Sequence, residues 1–405
     1  MQSLPLYTGI AEYIQQAAQL YAACQAGDRK ALQSIRNYHP HFSQLSDEAF
    51  RQSSITIEDV RLAIARYNYF DNWHQLTDWI VEVNKENSTV AEFETAAEAV
   101  MSGDTTTLQK MLKKNPALIH ARSLRPHHST LLHYIGANGV ENQRTPSNAI
   151  DVLTLLLDAG AEVDATADMY GGGITTLGLV ATSIWPAKAG VLIPLMEALL
   201  QAEAVIKGGV QGCLHNGRPE AADFLARRGA TLDLEGAAGV GRLDLVKEYF
   251  DKNGSLKAAD MQPQLELGFV WACEFGHTDV VGYLLTCGLD PNLEVDGMYG
   301  LHWALIGGHT DIVRLLIAKG ASLEVRNKYG GTALGAGIWA LINSDPVYRW
   351  PKDQVVDYFL LLEILLQAGA IAEPDLLQWL ALEEEIPTDK KEKLTALLIR
   401  NKADN

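Results

Sequence analysis

The sequence repeats itself with a period of 32 residues. A segment that begins at Trp271, WACEFGHTDVVGYLLTCGLDPNLE, aligns without a gap with a segment that begins at Trp303, WALIGGHTDIVRLLIAKGASLEVR, and the four residues GHTD recur in place. Self-similarity at such a period is typical of a stack of small units, each of which needs its neighbours to cover its apolar faces. The chain is therefore expected to fold as an array and not around a single central core.

Each unit has the pattern of two short antiparallel helices and a turn. In the later copy, Gly308 can adopt a positive φ and end the first helix. The second helix begins near His309 or Thr310, where Asp311 suits the N-terminal dipole. Small residues at matching levels of neighbouring first helices should allow those helices to approach closely; they include Ala272, Cys273 and Ala304.

These residues resemble ankyrin repeats. The stretch GLHWALIGGHTDIVRLLIAKGASLEVRNKYGGTAL is similar to the family's T-P-L-H-x-A-A, G-H-x-x-x-V-x-L-L and G-A patterns, with Tyr299 and Gly300 in the Thr-Pro places. The similarity is closest over Leu267–Leu334 and extends in weaker form over residues 94–374. The resemblance implies an all-α fold, an ankyrin-repeat solenoid of stacked helix-turn-helix units with helical N- and C-terminal caps.

The repeat pattern divides the chain into three parts. Residues 1–93 are predicted to form a helical N-terminal cap with degenerate repeat-like helix pairs, because Tyr21–Pro40 echoes Ala96–Pro116 with Gly-Asp in the same place. Residues 94–374 are the predicted array, and residues 375–405 a C-terminal helical cap and tail. The segment Ile57–Ile80 is similar to segments ahead of ankyrin arrays in bacterial proteins, which predicts a bacterial source.

Three insertions interrupt the array, near residues 140–149, 183–190 and 342–354. Insertions in repeat arrays lie in loops on one edge, which is often the face that binds. Two of them contain Trp-Pro, at Trp185 and Trp350, and the second also contains Tyr348 and Arg349. Aromatic residues beside arginine are common anchors in protein interfaces. The alternative is that each tryptophan folds back and covers its own loop.

The turns between units supply a second candidate surface. The resemblance implies that partners bind the tips of these turns and the first helices, along a concave groove. The tip residues that it assigns to partner binding are Arg125, His127, His128, Asp168, Met169, Tyr170, Asp296, Met298, Arg326, Lys328 and Tyr329. The implied function is a non-enzymatic protein-protein interaction scaffold.

The charge balance limits the kind of partner. A formal net charge of −17 disfavours binding to nucleic acid or to an anionic membrane, and it favours a protein partner with a basic surface. The sequence opens without a basic and apolar leader, and its most apolar runs contain Asp, Glu or Pro. A cytoplasmic monomer is therefore expected. Four scattered cysteines favour buried thiols over disulfides or zinc ligands.

A histidine cluster, His127, His128 and His133, is the best candidate for a metal site in the sequence, since imidazole is a common metal ligand. No HExxH motif or carboxylate pair accompanies it. His133 also fills, like His302 and His215, the repeat position at which the family's histidine hydrogen-bonds the turn backbone. We therefore expect neither a metal nor a cofactor.

Catalytic motifs are missing from the sequence: it contains no GxSxG elbow, kinase signature or dinucleotide fingerprint, and no catalytic residue is predicted. The alternative function is a small-molecule-binding protein or a cryptic hydrolase-like enzyme, which would use a pocket between the inserted loops and the N-terminal helices. A third hypothesis is that the protein acts as an effector exported into a host cell.

Overall fold

The chain folds into helices that form two compact units, Met1–Val205 and Ile206–Asn405. The computed structural model describes residues 8–140, 143–343, 350–351, 353–383 and 386–404. Apart from two short hairpins, the regular structure in these ranges is helical, so the predicted all-α class is confirmed. None of the helices in these ranges combines the length and the apolar character needed to cross a membrane.

The first unit begins with a helical bundle and continues with helix pairs. Its α-helices are α1 (Ile10–Gln25), α2 (Arg29–Tyr38), α3 (Asp47–Gln52), α4 (Ile57–Tyr67), α5 (Trp73–Val83), α6 (Thr89–Ser102), α7 (Thr105–Lys114), α8 (Ala149–Asp158), α9 (Thr176–Thr182), α10 (Ile184–Lys188) and α11 (Leu192–Gln201). Short 3-10 helices span Phe42–Gln44, Pro116–His120 and Leu131–Gly136. Strands β1 (Thr166–Ala167) and β2 (Ile174–Thr175) form an antiparallel hairpin.

The second unit consists of further helix pairs and a terminal pair. Its α-helices are α12 (Gln211–His215), α13 (Pro219–Arg227), α14 (Leu234–Gly239), α15 (Leu243–Glu248), α16 (Gln262–Phe275), α17 (Thr278–Thr286), α18 (Gly300–Gly307), α19 (Thr310–Ala318), α20 (Ala333–Asn343), α21 (Tyr358–Gln367), α22 (Leu376–Leu382) and α23 (Thr388–Asp404). A 3-10 helix spans Ala259–Met261. Strands β3 (Glu294–Val295) and β4 (Met298–Tyr299) form the second hairpin.

Within the second unit the helices lie in two rows. The first helices of successive pairs, α12, α14, α16, α18 and α20, pack on one another in chain order, and so do the second helices α15, α17, α19 and α21. Fully buried aliphatic side chains fill the space between the rows; Val281, Leu284, Val313 and Leu316 are examples. The core is therefore a strip shared between neighbouring pairs, as stacked repeats require.

Two helix pairs of the first unit, α1–α2 and α6–α7, share one local structure at the point where the pair turns. Gly27 and Gly103 end their helices with φ of 75° and 76°. Asp28 then caps α2 by accepting from the N–H of Ala31 at 2.8 Å, and Asp104 caps α7 in the same way. An N-cap of this kind contributes about 1 kcal/mol to helix stability. The Gly-Asp pair that occurs twice in the sequence thus forms the same local structure both times.

The histidines of the two GHTD motifs tie each repeat to the preceding one. His277 Nε2 lies 3.0 Å from the carbonyl oxygen of Gly239, and His309 Nε2 lies 2.7 Å from that of Glu274. Both carbonyls belong to the last turn of the preceding first helix, where backbone oxygens lack a partner within the helix. GHTD is therefore a scaffold motif, in which the glycine ends one helix and the histidine bridges to its neighbour.

Small residues allow the first helices to approach closely, as expected. Ala272, Cys273 and Ala304 are completely buried. A Cβ atom placed on Gly268 would lie 2.8 Å from the Cβ of Ala238 on α14, a distance at which one of the two helices must move. The spacing between these helices thus depends on a residue without a side chain.

Substitution of two helical glycines by alanine should have opposite effects. We expect Gly268→Ala to lower the free energy of unfolding by about 1–3 kcal/mol, because overpacking displaces rigid backbone. Gly335 on α20 is exposed, and its added Cβ would meet only Thr332 Oγ1, at 3.8 Å. Gly335→Ala should raise stability by about 0.4–1 kcal/mol. Urea denaturation followed by circular dichroism measures both, and equal stabilities for the two variants would contradict the close approach of α14 and α16.

Candidate functional site

Two neighbouring turns of the first unit are hydrogen-bonded to each other. The N–H of Asp168, in the β1–β2 hairpin, donates to the carbonyl of His127 at 2.8 Å. The Nδ1 atom of His128 lies 2.8 Å from the Asp168 carboxylate, and Arg122 donates to carbonyls in both turns. The side chains of His128 and Asp168 remain more than half exposed. These two predicted residues therefore lie together on a connected surface.

The turns of the second unit are joined in a similar way. The N–H of Lys328 donates to the carbonyl of Gly297 in the β3–β4 hairpin at 2.7 Å. Arg326 donates to the carbonyl of Gly330 and forms a 2.7 Å ion pair with Glu373. Asp296, Arg326 and Lys328 are exposed, as predicted. The second unit thus presents charges of both signs along its turns.

The most exposed aromatic residues of the turns are two tyrosines. Tyr170 is 70% exposed and Tyr329 is 81% exposed. The Tyr170 hydroxyl donates to Asn138 Oδ1 at 2.6 Å, while the Tyr329 ring lies beside the Lys328 ammonium group, 5.5 Å from it. Each tyrosine is partly ordered by one neighbour and still offers most of its surface, which suits an interface anchor.

Four of the predicted tip residues are buried, so the expectation that they face a partner is wrong. Met169 and Met298 are 6% and 2% exposed, and an added Cβ on Gly139, which follows the 3-10 helix Leu131–Gly136, would meet the Met169 sulfur. His127 and Arg125 are also buried. Exposure of a turn residue depends on which way the turn directs its side chain, and the sequence pattern did not reveal this.

Arg125 forms the centre of a buried polar cluster. Its guanidinium group contacts the Glu94 carboxylate at 3.3 and 3.4 Å and donates to the carbonyl of Asn68 at 3.1 Å. The same group lies 4.3 Å from the ring of Trp79, whose indole N–H donates to Glu94. Side chains of α5 and α6 and a turn of the array therefore meet at one charged residue, so Arg125 is a structural residue.

Removal of the Arg125 charge should destabilise the first unit. A buried carboxylate that loses its partner costs about 3–5 kcal/mol, so we expect Arg125→Met to lower the free energy of unfolding by that amount. The double variant Arg125→Met/Glu94→Gln should recover part of the loss, because no charge is then left without a partner. Thermal and urea unfolding measure both variants. If Arg125→Met alone were as stable as the parent, the cluster would be accessible to water.

The histidine cluster is dispersed into separate structural roles. His127 Nδ1 accepts from the N–H of Ser129 at 3.2 Å, and His133 Nδ1 accepts from the N–H of Thr130 at 3.1 Å. His302 contacts the carbonyl of Gly331, as the repeat pattern predicted. Across the part of the chain that the structure describes, no group of three or more His, Cys, Asp or Glu side chains is arranged to hold a metal ion.

The prediction that His215 occupies the same repeat position as His302 is wrong. His215 lies in the last turn of α12, whereas His302 lies in the first turn of α18. His215 Nε2 contacts the carboxylate of Glu235 at 2.8 Å, and this buried carboxylate also accepts from the indole N–H of Trp271 at 3.0 Å. The sequence between Gly212 and Gly229 is several residues shorter than the corresponding part of the other units, so its histidine falls at the end of the first helix and not at its start.

In the residues that are described, the first and third inserted segments contact the preceding helix pair. Asn148 donates to the carbonyl of Gly103 at 2.9 Å, and Arg144 forms an ion pair with Glu98. The insertion near residues 183–190 contains α10, in which Pro186 is buried. After the third insertion, Gln354 donates to the carbonyl of Gly308 at 3.1 Å.

The predicted aromatic anchors of these loops are only partly exposed. Trp185 and Trp350 are half-buried, and the Lys188 ammonium group lies 5.6 Å from the Trp185 ring. Tyr348 and Arg349 lie outside the described residues. The structure thus combines both earlier alternatives for Trp185, which contacts its own segment and keeps some accessible surface.

The first helices of the second unit carry an aromatic row that sequence reasoning treated only as scaffold. The rings of Trp271 and Trp303 lie 6.3 Å apart, and Trp271 also contacts His215 at 5.0 Å. Trp271 is 9% exposed, whereas Trp339, on the later first helix α20, is 54% exposed. An exposed tryptophan on a first helix was detectable from the helical spacing in the sequence, since Trp339 falls three residues after the position that aligns with Trp303.

Glu274 on α16 has an unusual environment for a carboxylate. Its Oε2 atom is buried and has no hydrogen-bond partner within the described residues. Burial raises the pKa of Glu274 to about 8, and the nearby Arg218 opposes this effect. Burial lowers the pKa of the adjacent repeat residue His277 to about 4. The two groups therefore make stability depend on pH in opposite directions.

Stability should decrease as the pH rises from about 6.5 to 8. The protonated form of Glu274 stabilises the folded state fully below its ordinary pKa of 4.5, and this contribution is lost as the pH rises toward 8. The contribution of neutral His277 is complete above 6.5 and is lost as the pH falls toward 4. Glu274→Gln should therefore flatten the profile between 6.5 and 8, as measured by urea unfolding at each pH. A parent profile that rises across this range would contradict the assignment.

Comparison with known proteins identifies the repeats. Residues 269–348 match the family described as ankyrin repeats (3 copies). This part of the chain is therefore similar to ankyrin repeats. With the paired helices described above, this confirms the predicted ankyrin-repeat solenoid fold.

A solved structure, the human ASB11 ankyrin repeat domain, is 17% identical, with alignment over 60% of this chain and 99% of that domain and a TM-score of 0.28. These values are too low for any conclusion about function. The comparison with curated proteins gives no significant match. The bacterial source receives no support from either result and stays a prediction.

Proposed function

We propose that this protein is a non-enzymatic interaction scaffold that binds a protein partner through the exposed turn residues and the first helices of its repeats. Ankyrin repeats are generally protein-protein interaction modules. The observation that carries the proposal is the pair of exposed tyrosines, Tyr170 and Tyr329, on turns whose backbones are fixed by hydrogen bonds to the neighbouring turn. Fixed turns reduce the entropy that binding must overcome.

Each unit has its own proposed surface, and the two surfaces together contain seven of the predicted residues; the other predicted residues are omitted because they are buried, half-buried or not described. The members are His128, Asp168 and Tyr170 in the first unit and Asp296, Arg326, Lys328 and Tyr329 in the second. Trp339, which is exposed on the first helix α20, extends the surface of the second unit. We further propose a partner with a basic surface, in view of the net charge of −17, and a cytoplasmic monomer as the acting form.

The small-molecule or hydrolase-like alternative has no specific observation in its favour. A groove does lie beside the N-terminal helices, but α5 and the turn at residues 124–128 line it, and none of the described residues of the inserted loops is among its lining residues. Its shape is open, whereas an enzyme site is usually closed enough to exclude water. The hypothesis of an exported effector is compatible with the same binding surface and predicts a host protein as the partner.

Affinity capture from the native organism, followed by mass spectrometry, should identify a partner whose binding depends on the turns. We expect Tyr329→Ala/Lys328→Ala in the second unit, or Tyr170→Ala in the first, to reduce recovery of the purified partner about tenfold or more, since anchor residues contribute about 2 kcal/mol or more each. The melting temperature should stay within a degree or two of the parent.

The matched control is Ile399→Ala on α23, which removes an exposed apolar side chain from outside the turns. It should leave recovery of the partner unchanged. Full recovery with both turn variants would exclude the turns as the binding surface, and loss with the control alone would move the surface to the C-terminal helices.

A further inference from the structure

A groove in the first unit lies between helix α5 and the turn at residues 124–128, with a volume of about 330 Å³. Trp79 contributes to its floor, and Leu124 and Pro126 belong to the wall formed by the turn. Leu124 is 58% exposed, so it offers apolar surface at the edge of the groove. The volume is at the small end of the range of about 300–1,000 Å³ for ligand sites, so it suits a short segment of chain.

The other wall of the groove is acidic. Asp71, Asp78 and Glu82 line it, and no lysine or arginine occurs among the described residues that do so. Asp78 and Glu82, four residues apart, lie on one side of α5, and Asp71 lies in the bend that precedes this helix. Because the rise of a helix is about 1.5 Å per residue, Asp78 and Glu82 are about 6 Å apart along the axis of α5.

Each of these carboxylates has unused capacity for hydrogen bonds. Asp71 uses one oxygen for Arg66, Asp78 uses one for His74, and Glu82 uses one for Lys85. Within the described ranges, the second oxygen of each has no hydrogen-bond partner. The three groups are spread along the groove and do not converge as metal ligands would, so the ligand that they fit is an extended cation-bearing chain.

We propose that this groove binds an extended segment of a protein partner in which basic and apolar residues alternate. In an extended chain, side chains two residues apart lie on the same side about 6.6 Å from each other, which is close to the spacing of Asp78 and Glu82 along α5. Successive side chains of an extended chain point to opposite sides. Lysine or arginine residues at alternate positions therefore face the carboxylates of α5, while the residues between them pack on Leu124 and Pro126.

The groove has a rigid floor, which favours this recognition. Trp79 is 5% exposed, its indole N–H is bound by Glu94, and the guanidinium group of Arg125 covers part of its ring. The buried cluster of Arg125, Glu94 and Trp79 thus fixes the turn at residues 124–128 against α5 without occupying the groove. This inference rests on the proposed protein-binding function and specifies a site and a sequence pattern for the partner.

The test measures fluorescence anisotropy with the full-length protein and fluorescein-labelled peptides. The probe is Lys-Leu-Lys-Leu-Lys, and the comparison peptides are Leu-Leu-Lys-Lys-Lys, of equal composition, and Glu-Leu-Glu-Leu-Glu. We expect the alternating peptide to bind about tenfold more tightly than the rearranged one, because only alternation satisfies both walls. The acidic peptide should not bind.

Two variants locate the binding. Asp78→Asn/Glu82→Gln should weaken binding of the alternating peptide about tenfold, through the loss of charge-assisted hydrogen bonds. The matched control, Asp151→Asn/Asp158→Asn, removes the same charge from a second groove of the same unit, between α7 and α8, and should have no effect. Thermal unfolding verifies that both variants remain folded.

Three results would overturn the proposal: equal weakening by the control variant, which indicates non-specific attraction to an acidic protein; equal affinity for the alternating and rearranged peptides; or no binding of the probe at millimolar concentration. None of them affects the proposed function, because Tyr329→Ala/Lys328→Ala tests that separately with the captured partner. Those turn residues lie outside the groove, so that variant should bind the probe like the parent.

Discussion

The packing of each first helix on its neighbour is the constraint on which the rest of the structure depends. A single helix pair has no closed core, so its apolar face is buried only when the next pair approaches closely. Gly268 and completely buried small residues such as Ala272 and Ala304 permit that approach. The GHTD histidines then satisfy the carbonyls at the end of the preceding helix. Packing and hydrogen bonding therefore fix the same interface.

Where the repeat pattern weakens, buried charged side chains connect neighbouring elements. In the first unit, Arg125 binds Glu94 and covers Trp79, which joins the N-terminal helices to the array. In the second, Glu235 binds both His215 and Trp271 across successive first helices. A buried ion pair adds little net stability but costs much to break. Such clusters define the geometry of the exposed turns and of the groove beside α5, where binding is proposed.

Much of the fold could be predicted from the sequence, because its signals are local. Gly308 and Asp28 act within a few residues, through a positive φ and a helix cap. The candidate surface was harder to predict. His128, Tyr170 and Tyr329 are exposed as expected, while Met169 and Met298 are buried, although all occupy turns of similar composition. The direction of a side chain in a turn depends on hydrogen bonds with the next turn, which a single repeat does not contain.

The sequence by itself determined the period of the array, the helix pairs and the scaffold role of GHTD, since each follows from glycines, caps and apolar spacing within one or two units. Only the tertiary structure decided which residues face solvent. Arg125 became structural because it contacts Glu94 and Asn68, which lie 31 and 57 residues earlier in the chain. The groove beside α5 exists for the same reason: its two walls are distant in sequence, and the folding of the N-terminal helices against the first turn brings them together.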